Sequence, residues 1–89
     1  MHGGAYDIAD DQVEAHARGC AAALAAGWAV LSAGGNALDT VEAAVRILED
    51  DPVFDAGTGS HLTRDGHVEC DAAIMEGTGL RAGAVGALP

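Results

Sequence analysis

Small side chains set the first limit on what this chain can become. Its 89 residues include 20 alanines and 13 glycines but one tryptophan, one tyrosine and one phenylalanine. Few positions therefore carry the volume needed to fill a private core. A chain of this length buries only about 60% of its unfolded surface in a favourable case, so the expectation is a unit that needs neighbours, from other chains or from more of its own. A hydrophobic content of 49% argues against disorder. Charge narrows the partners. Fourteen acidic residues face four arginines and no lysine, a formal charge of −10, and the arginines stand singly at Arg18, Arg46, Arg64 and Arg81. Phosphate backbones and anionic lipid surfaces recruit clustered basic residues, so nucleic-acid and membrane partners are disfavoured. No apolar run is long enough to span a bilayer and no basic-then-apolar leader opens the chain, which makes a cytoplasmic location the expectation. Cys20 and Cys70 lack CxxC spacing, and each falls on an otherwise apolar pattern, Cys20 before a run of alanines and Cys70 in the alternation Val68, Cys70, Ala72, Ile74. They read as buried reduced thiols.

Val13, Ala17, Cys20, Leu24, Trp28 and Leu31 recur at helical spacing after Asp10 and Asp11, which predicts a helix from about Asp11 to Leu31. Asp11 and Glu14 have the form of a capping pair, His16 reads as an exposed helix residue, and Trp28, on the apolar stripe, reads as a core anchor. Gly34 and Gly35 end this helix. Asn36 can cap a second one, with Asp39 in its first turn. Leu38, Val41, Ala44, Val45 and Leu48 form the second stripe, ended by Asp50-Asp51-Pro52. Two helices with so short a connection should pack antiparallel. Beyond them, Gly57 and Gly59 signal an unusual backbone turn. Ser60–Arg64 and His67–Met75 read as a hairpin about a type I′ turn at Asp65-Gly66, with His61 and His67 placed to face each other across it. A second turn at Glu76–Gly79 leads to Leu80–Leu88, a small-residue run suited to a strand buried on both faces. The layers are incomplete, since nothing remains to cover the second sheet face. Residues 1–89 are therefore expected to form a single incomplete unit.

Chemistry is sparse. Ser32, Ser60, Thr40, Thr58, Thr63, Thr78, Cys20 and Cys70 are the candidate nucleophiles, none in an activating context, so no catalytic residue is assigned. His2, His16, His61 and His67 lack metal-ligand spacing. Glu49-Asp50-Asp51 places acidic groups at the negative end of a helix dipole. Two readings stand: a solvated acidic turn, or a hard cation held by carbonyls of the glycine-rich loop that follows.

His2-Gly3-Gly4-Ala5, Gly34-Gly35-Asn36-Ala37-Leu38-Asp39, Val41-Glu42-Ala43-Ala44-Val45, Leu48-Glu49-Asp50-Asp51-Pro52, Phe54-Asp55-Ala56-Gly57-Thr58-Gly59-Ser60 and Asp71-Ala72-Ala73-Ile74-Met75-Glu76-Gly77, followed by Gly83-Ala84-Val85, occur in one order over nearly the whole chain. Together they resemble the start of plant-type L-asparaginases and isoaspartyl peptidases, hydrolases of the N-terminal nucleophile class. The resemblance implies an α/β fold in layers, an αββα sandwich of which this chain supplies two antiparallel helices and part of a sheet with a hairpin. It implies a precursor that cleaves itself to free a threonine, whose α-amine acts as base for its own hydroxyl. That threonine lies downstream in the family. Thr40-Val41-Glu42-Ala43-Ala44-Val45 imitates its motif but falls inside a helix, so the isolated chain is expected to be inactive.

Further implications concern the site and the partners. The Leu48–Ser60 segment corresponds to a loop that wraps a structural sodium with the carbonyls of Leu48, Glu49, Asp51, Phe54, Ala56 and Thr58. Gly3, Gly4, Asp55 and Gly57 would support the substrate site. Asp55 stands where the family often has asparagine, and a carboxylate accepts hydrogen bonds without donating them. The implied partners are the remainder of the α-subunit, the β-subunit with the threonine, an (αβ)2 oligomer, and an amide or β-aspartyl dipeptide substrate. Alternatives are a non-catalytic acidic interaction module, or a fragment of a threonine aspartase or glycosylasparaginase relative.

Overall fold

Local signals place both helices. In the computed structural model, which describes residues 1–89, α1 (Val13–Ser32) and α2 (Ala37–Asp50) are joined by a four-residue turn. The turn closes α1 with two bonds: Gly35 N–H donates to the Val30 carbonyl at 2.9 Å and Gly34 N–H to that of Leu31 at 3.1 Å. Gly34 supplies the left-handed residue this closure needs, at φ +87°. Asn36 caps α2 as expected. Its Oδ1 accepts from Asp39 N–H and its Nδ2 donates to the Asp39 carboxylate, both at 2.9 Å. Asp51 is extended before Pro52, and α2 stops at Asp50. At the start of α1 the anticipated Asp11–Glu14 cap is absent. A 3-10 turn, Asp10–Gln12, leads in through a backbone bond from Gln12 N–H to the Ala9 carbonyl.

The helices pack through small residues. A Cβ on Gly27 would stand 3.2 Å from the Thr40 carbonyl and 3.3 Å from the Ala44 Cβ, while one on Gly19 would stand 2.8 Å from the Asp51 carboxylate. The end of α1 thus faces the start of α2 and its middle faces the end of α2, the antiparallel arrangement expected. The buried face of α1 is His16, Gly19, Ala23 and Gly27. This corrects the stripe read from the large side chains. Val13, Leu24 and Leu31 are exposed, and Trp28 is 62% exposed and anchors no core. His16, expected on the surface, is buried. The physical reason is distance: two backbones this close leave room for hydrogen or methyl groups, and the bulky residues are turned outward. On α2 the expected stripe holds in part, with Ala44 buried, Leu38 and Leu48 half-buried, and Val41 and Val45 exposed.

β1 (Cys70–Glu76) and β2 (Arg81–Leu88) form one antiparallel hairpin, paired from Glu76↔Arg81 to Cys70↔Leu88. Two expectations fail here. The hairpin foreseen about Asp65-Gly66 is a turn without strands. Gly66 N–H donates to the Thr63 carbonyl at 3.0 Å, and Thr63 N–H to that of His67 at 2.7 Å. Only Gly66 has positive φ, at +82°, whereas type I′ needs it at both central residues. The alternation that begins at Val68 belongs instead to β1, whose partner lies downstream. The strand foreseen as buried on both faces, β2, is exposed along its whole length. Near its end the register shifts, so that Gly86 and Ala87 together oppose Asp71. Ala87, at φ +51°, donates its N–H to the Asp71 carboxylate at 2.8 Å. The architecture is α/β, two helices beside a two-stranded sheet, and no helix is long and apolar enough to cross a membrane.

Candidate functional site

Proline 52 starts the site by what it lacks. The Leu48 carbonyl at the end of α2 would ordinarily accept from the N–H four residues on, and Pro52 has none. The next donor, Val53 N–H, turns to the Asp51 side chain at 3.0 Å, leaving the Glu49 carbonyl free, and Phe54 N–H goes to the Asp51 carbonyl at 3.2 Å. Further along, the Ala56 carbonyl accepts from Gly59 N–H at 3.0 Å, while those of Phe54 and Thr58 receive no backbone donor. Of the six carbonyls singled out in the sequence, those of Leu48, Glu49, Phe54 and Thr58 are unpaired, and those of Asp51 and Ala56 each keep a lone pair.

Two glycines let these carbonyls approach. Gly57 has φ +50°, and a Cβ there would overlap the Glu49 carbonyl oxygen. Gly59 lies outside the left-handed region, yet a Cβ would overlap the Phe54 carbonyl and come within 2.7 Å of that of Pro52. Left-handed geometry therefore accounts for the first glycine and close approach for the second. Glu49, Asp50 and Asp51 add negative charge beside the negative helix end, and no ion pair engages them. No group of His, Cys, Asp and Glu side chains is placed to hold a metal. A cation here would rest on main-chain oxygens.

The loop is pinned by Phe54, which is 3% exposed. Its ring fills a notch made by two glycines: a Cβ on Gly3 would stand 2.6 Å from Phe54 Cε1, and one on Gly19 2.8 Å from Cζ. His16 meets the ring edge-on at a centroid distance of 5.4 Å. The imidazole is fully partnered, Nδ1 with the Gln12 carbonyl at 2.8 Å and Nε2 with the Tyr6 hydroxyl. A carbonyl only accepts, so Nδ1 carries the hydrogen, and in the neutral ring Nε2 accepts from Tyr6. Sequence reasoning missed this cluster. The available signal was the run His16, Gly19, Ala23, Gly27, small residues at the spacing of a close helix seam.

The remaining singled-out residues divide. Gly3 joins the loop through Phe54 and also abuts Cys20 Sγ. Gly4 is exposed at φ +121°, its N–H donating to His2 Nδ1 at 3.2 Å. Asp55 projects outward and accepts from His61 twice, from Nδ1 at 2.9 Å and from the backbone N–H at 3.0 Å. Those two bonds, the side-chain one foremost, hold its carboxyl below the usual aspartate range. His61 thus faces Asp55 and not His67 across a sheet, since no strands form there. Thr40 is an ordinary helical residue whose hydroxyl donates to the Asn36 carbonyl at 2.8 Å. Cys20 and Cys70 are free thiols, each half-buried.

Comparison with known proteins adds what this geometry leaves open. The family model described as asparaginase matches residues 1–89. The plant-type L-asparaginase of Pyrococcus abyssi is 52% identical over 86 residues, covering 96% of this chain and 28% of the relative. That of Thermococcus kodakarensis is 54% identical over 86 residues, with 96% and 28% covered. The isoaspartyl peptidase/L-asparaginase of Bos taurus is 50% identical over 86 residues, with 97% and 28% covered. The chain spans 28% of the length of these relatives.

Proposed function

The chain belongs to the asparaginase family, and on that footing we propose that residues 1–89 are one incomplete unit, the N-terminal portion of a hydrolase acting on β-aspartyl peptides or the side-chain amide of asparagine. The observation that carries this reading is the identity of about half over nearly the whole chain to relatives named for those two activities. In this proposal α1 and α2 form an outer layer of an αββα sandwich, and β1 and β2 are part of the sheet beneath. The exposure of both strands and of Trp28, Leu24 and Leu31 supports it, because these are the surfaces further layers would cover. The nucleophile is a threonine on a downstream portion, freed by autoproteolysis, in an (αβ)2 assembly. Its hydroxyl attacks the amide or isopeptide carbonyl as its α-amine takes the proton, the α-ammonium returns that proton to the ammonia or amine that departs when the C–N bond breaks, and water hydrolyses the resulting acyl-enzyme to release aspartate. Gly3, Gly4, Asp55 and Gly57 border the site. A cytoplasmic setting keeps Cys20 and Cys70 as thiols.

A structural sodium is part of the same proposal. Four unpaired carbonyls, two more with free lone pairs, and glycines whose Cβ atoms would fill the cradle fit a hard monovalent ion. Leu48, Glu49, Asp51, Phe54, Ala56 and Thr58 would hold it. The ion would supply positive charge at the helix end and take no part in bond breaking.

The test is reconstitution. Joined to, or co-expressed with, a threonine-bearing portion of the family, the chain is expected to release ammonia from asparagine or aspartate from a β-aspartyl dipeptide, whereas alone it releases neither. A folded, assembled product that is silent on both substrates overturns the proposal.

A further inference from the structure

We propose that His16 is a positioning residue that holds the Gly3–Gly4 segment in register with the carbonyl-lined loop, through Tyr6 on one side and the Phe54 ring on the other. His16 is the only polar side chain buried in the structure, and the hydrolytic chemistry proposed above makes no use of it. A buried imidazole costs stability against an apolar side chain of similar size unless its nitrogens are satisfied. Both are satisfied here, and the bonds give direction that an apolar residue would not. Nδ1–H to the Gln12 carbonyl fixes the ring plane against the first turn of α1. With the plane set, Nε2 receives the hydroxyl of Tyr6, a residue outside every helix and strand. The imidazole also meets two aromatic rings edge to face, Tyr6 at 5.7 Å and Phe54 at 5.4 Å between centroids.

Three stretches of chain distant in sequence therefore meet at one ring. Phe54 transmits its position in two directions. Its side chain abuts Gly3 so closely that no Cβ fits, and its own carbonyl is one of the unpaired oxygens of the loop, packed onto Gly59. A shift of the imidazole moves the Gly3–Gly4 segment and the loop together. Cys20 Sγ also lies against Gly3, where a Cβ would stand 2.8 Å from it.

The inference rests on the reading that the loop and Gly3–Gly4 border one hydrolase site, and the experiment separates the two. In the reconstituted hydrolase, Tyr6→Phe keeps the ring and removes the hydroxyl, and His16→Phe keeps aromatic volume and removes both bonds. Hydrogen exchange read by mass spectrometry is expected to rise about fivefold for Tyr6→Phe, the worth of one hydrogen bond, and further for His16→Phe, which loses two, in peptides covering residues 2–8 and 51–60 alike. Peptides within α1 and α2 should keep their protection. KM for a β-aspartyl dipeptide should rise by a similar factor with kcat nearly unchanged. Loosening of one peptide without the other, loosening shared by the helices, or unchanged kinetics overturns the positioning role. A wild-type hydrolase that folds but turns over neither substrate refutes the functional reading, and the exchange pattern then decides the role of His16 by itself.

Discussion

The helix pair with its loop and the β-hairpin are built on opposite terms. In the first, nearly everything that decides the geometry lies within the chain. Gly19, Ala23 and Gly27 make a seam that α2 and Phe54 fill, and the one buried polar side chain has both nitrogens partnered. In the hairpin the hydrogen-bond ladder is formed but little covers it: α2 touches β1 only lightly, β1 is buried in part at its two ends alone, and β2 is exposed throughout. Side-chain volume explains the contrast. A helix seam can be closed with hydrogen and methyl groups alone, because two backbones supply the contact surface, whereas a sheet face is covered only by another layer. A chain rich in alanine and glycine can therefore complete the first by itself and leaves the second to its surroundings.

The comparison breaks most readily at the loop. Gly59→Val would drive a branched side chain into the Phe54 and Pro52 carbonyls, and Gly57→Val would add left-handed strain to a clash with the Glu49 carbonyl. Each is expected to destabilise the fold by more than about 3 kcal/mol, well above an ordinary substitution. The seam comes next. Gly27→Leu would meet the Thr40 carbonyl and Ala44 across the helix contact and should cost about 1–3 kcal/mol by overpacking. Gly83→Ala in β2 finds open space and should stay within about 0.5 kcal/mol. Thermal melts followed by circular dichroism order the four variants. A seam variant as mild as Gly83→Ala would erase the distinction between the two regions.

Trp28 sharpens it from the outside. Being largely exposed here, it should tolerate Trp28→Ser within about 0.5 kcal/mol in the chain alone. In the reconstituted hydrolase the same change should cost about 3 kcal/mol or more, as burying layers are added. Equal effects in both settings would show that the face stays bare.

What could be read from the sequence follows the same division. Asn36 with Asp39, the Gly34-Gly35 closure and the stop before Pro52 are settled by neighbours within a few residues, and each formed where expected. Gly57 and Gly59 also signalled their loop, because a side chain's absence is visible in a sequence even when the carbonyls requiring it are not. The inward face of α1 was not legible by hydrophobicity. The contact selects for smallness, so Leu24 and Trp28 drew attention to the wrong side while Gly19 and Gly27 carried the information. His16 went unrecognised because its partners, Tyr6 and Phe54, come from segments with no periodicity. The strand pairing failed at Asp65-Gly66, a strong local turn signal with no strand on its upstream side, whereas the turn read at Glu76–Gly79 and the strand after it formed where expected and make the real hairpin.

That turn supplies the smallest and most specific effect. The Glu76 carboxylate accepts from Thr78 N–H at 2.8 Å and Gly79 N–H at 3.0 Å and meets Arg81 at 3.3 Å. The Gly79 bond foremost, with help from Thr78 and Arg81, holds its carboxyl below the ordinary glutamate value. A folded value lower than the unfolded one means that the unfolded chain binds the proton more tightly. The contribution is present above the unfolded value and is lost as pH falls through the folded one. Protection of the Thr78 and Gly79 amides should therefore decline on acidification below about pH 4.5. Glu76→Gln should flatten that decline while leaving the amides of α1 and α2 unaffected, because a neutral amide does not titrate; its single oxygen can accept from Thr78 or Gly79 but not from both as the two carboxylate oxygens do, so the variant's turn also starts less protected. Hydrogen exchange across an acid series reads both regions in one experiment. A parallel loss of protection in the helices would mean that the turn and the helix pair unfold as one unit after all.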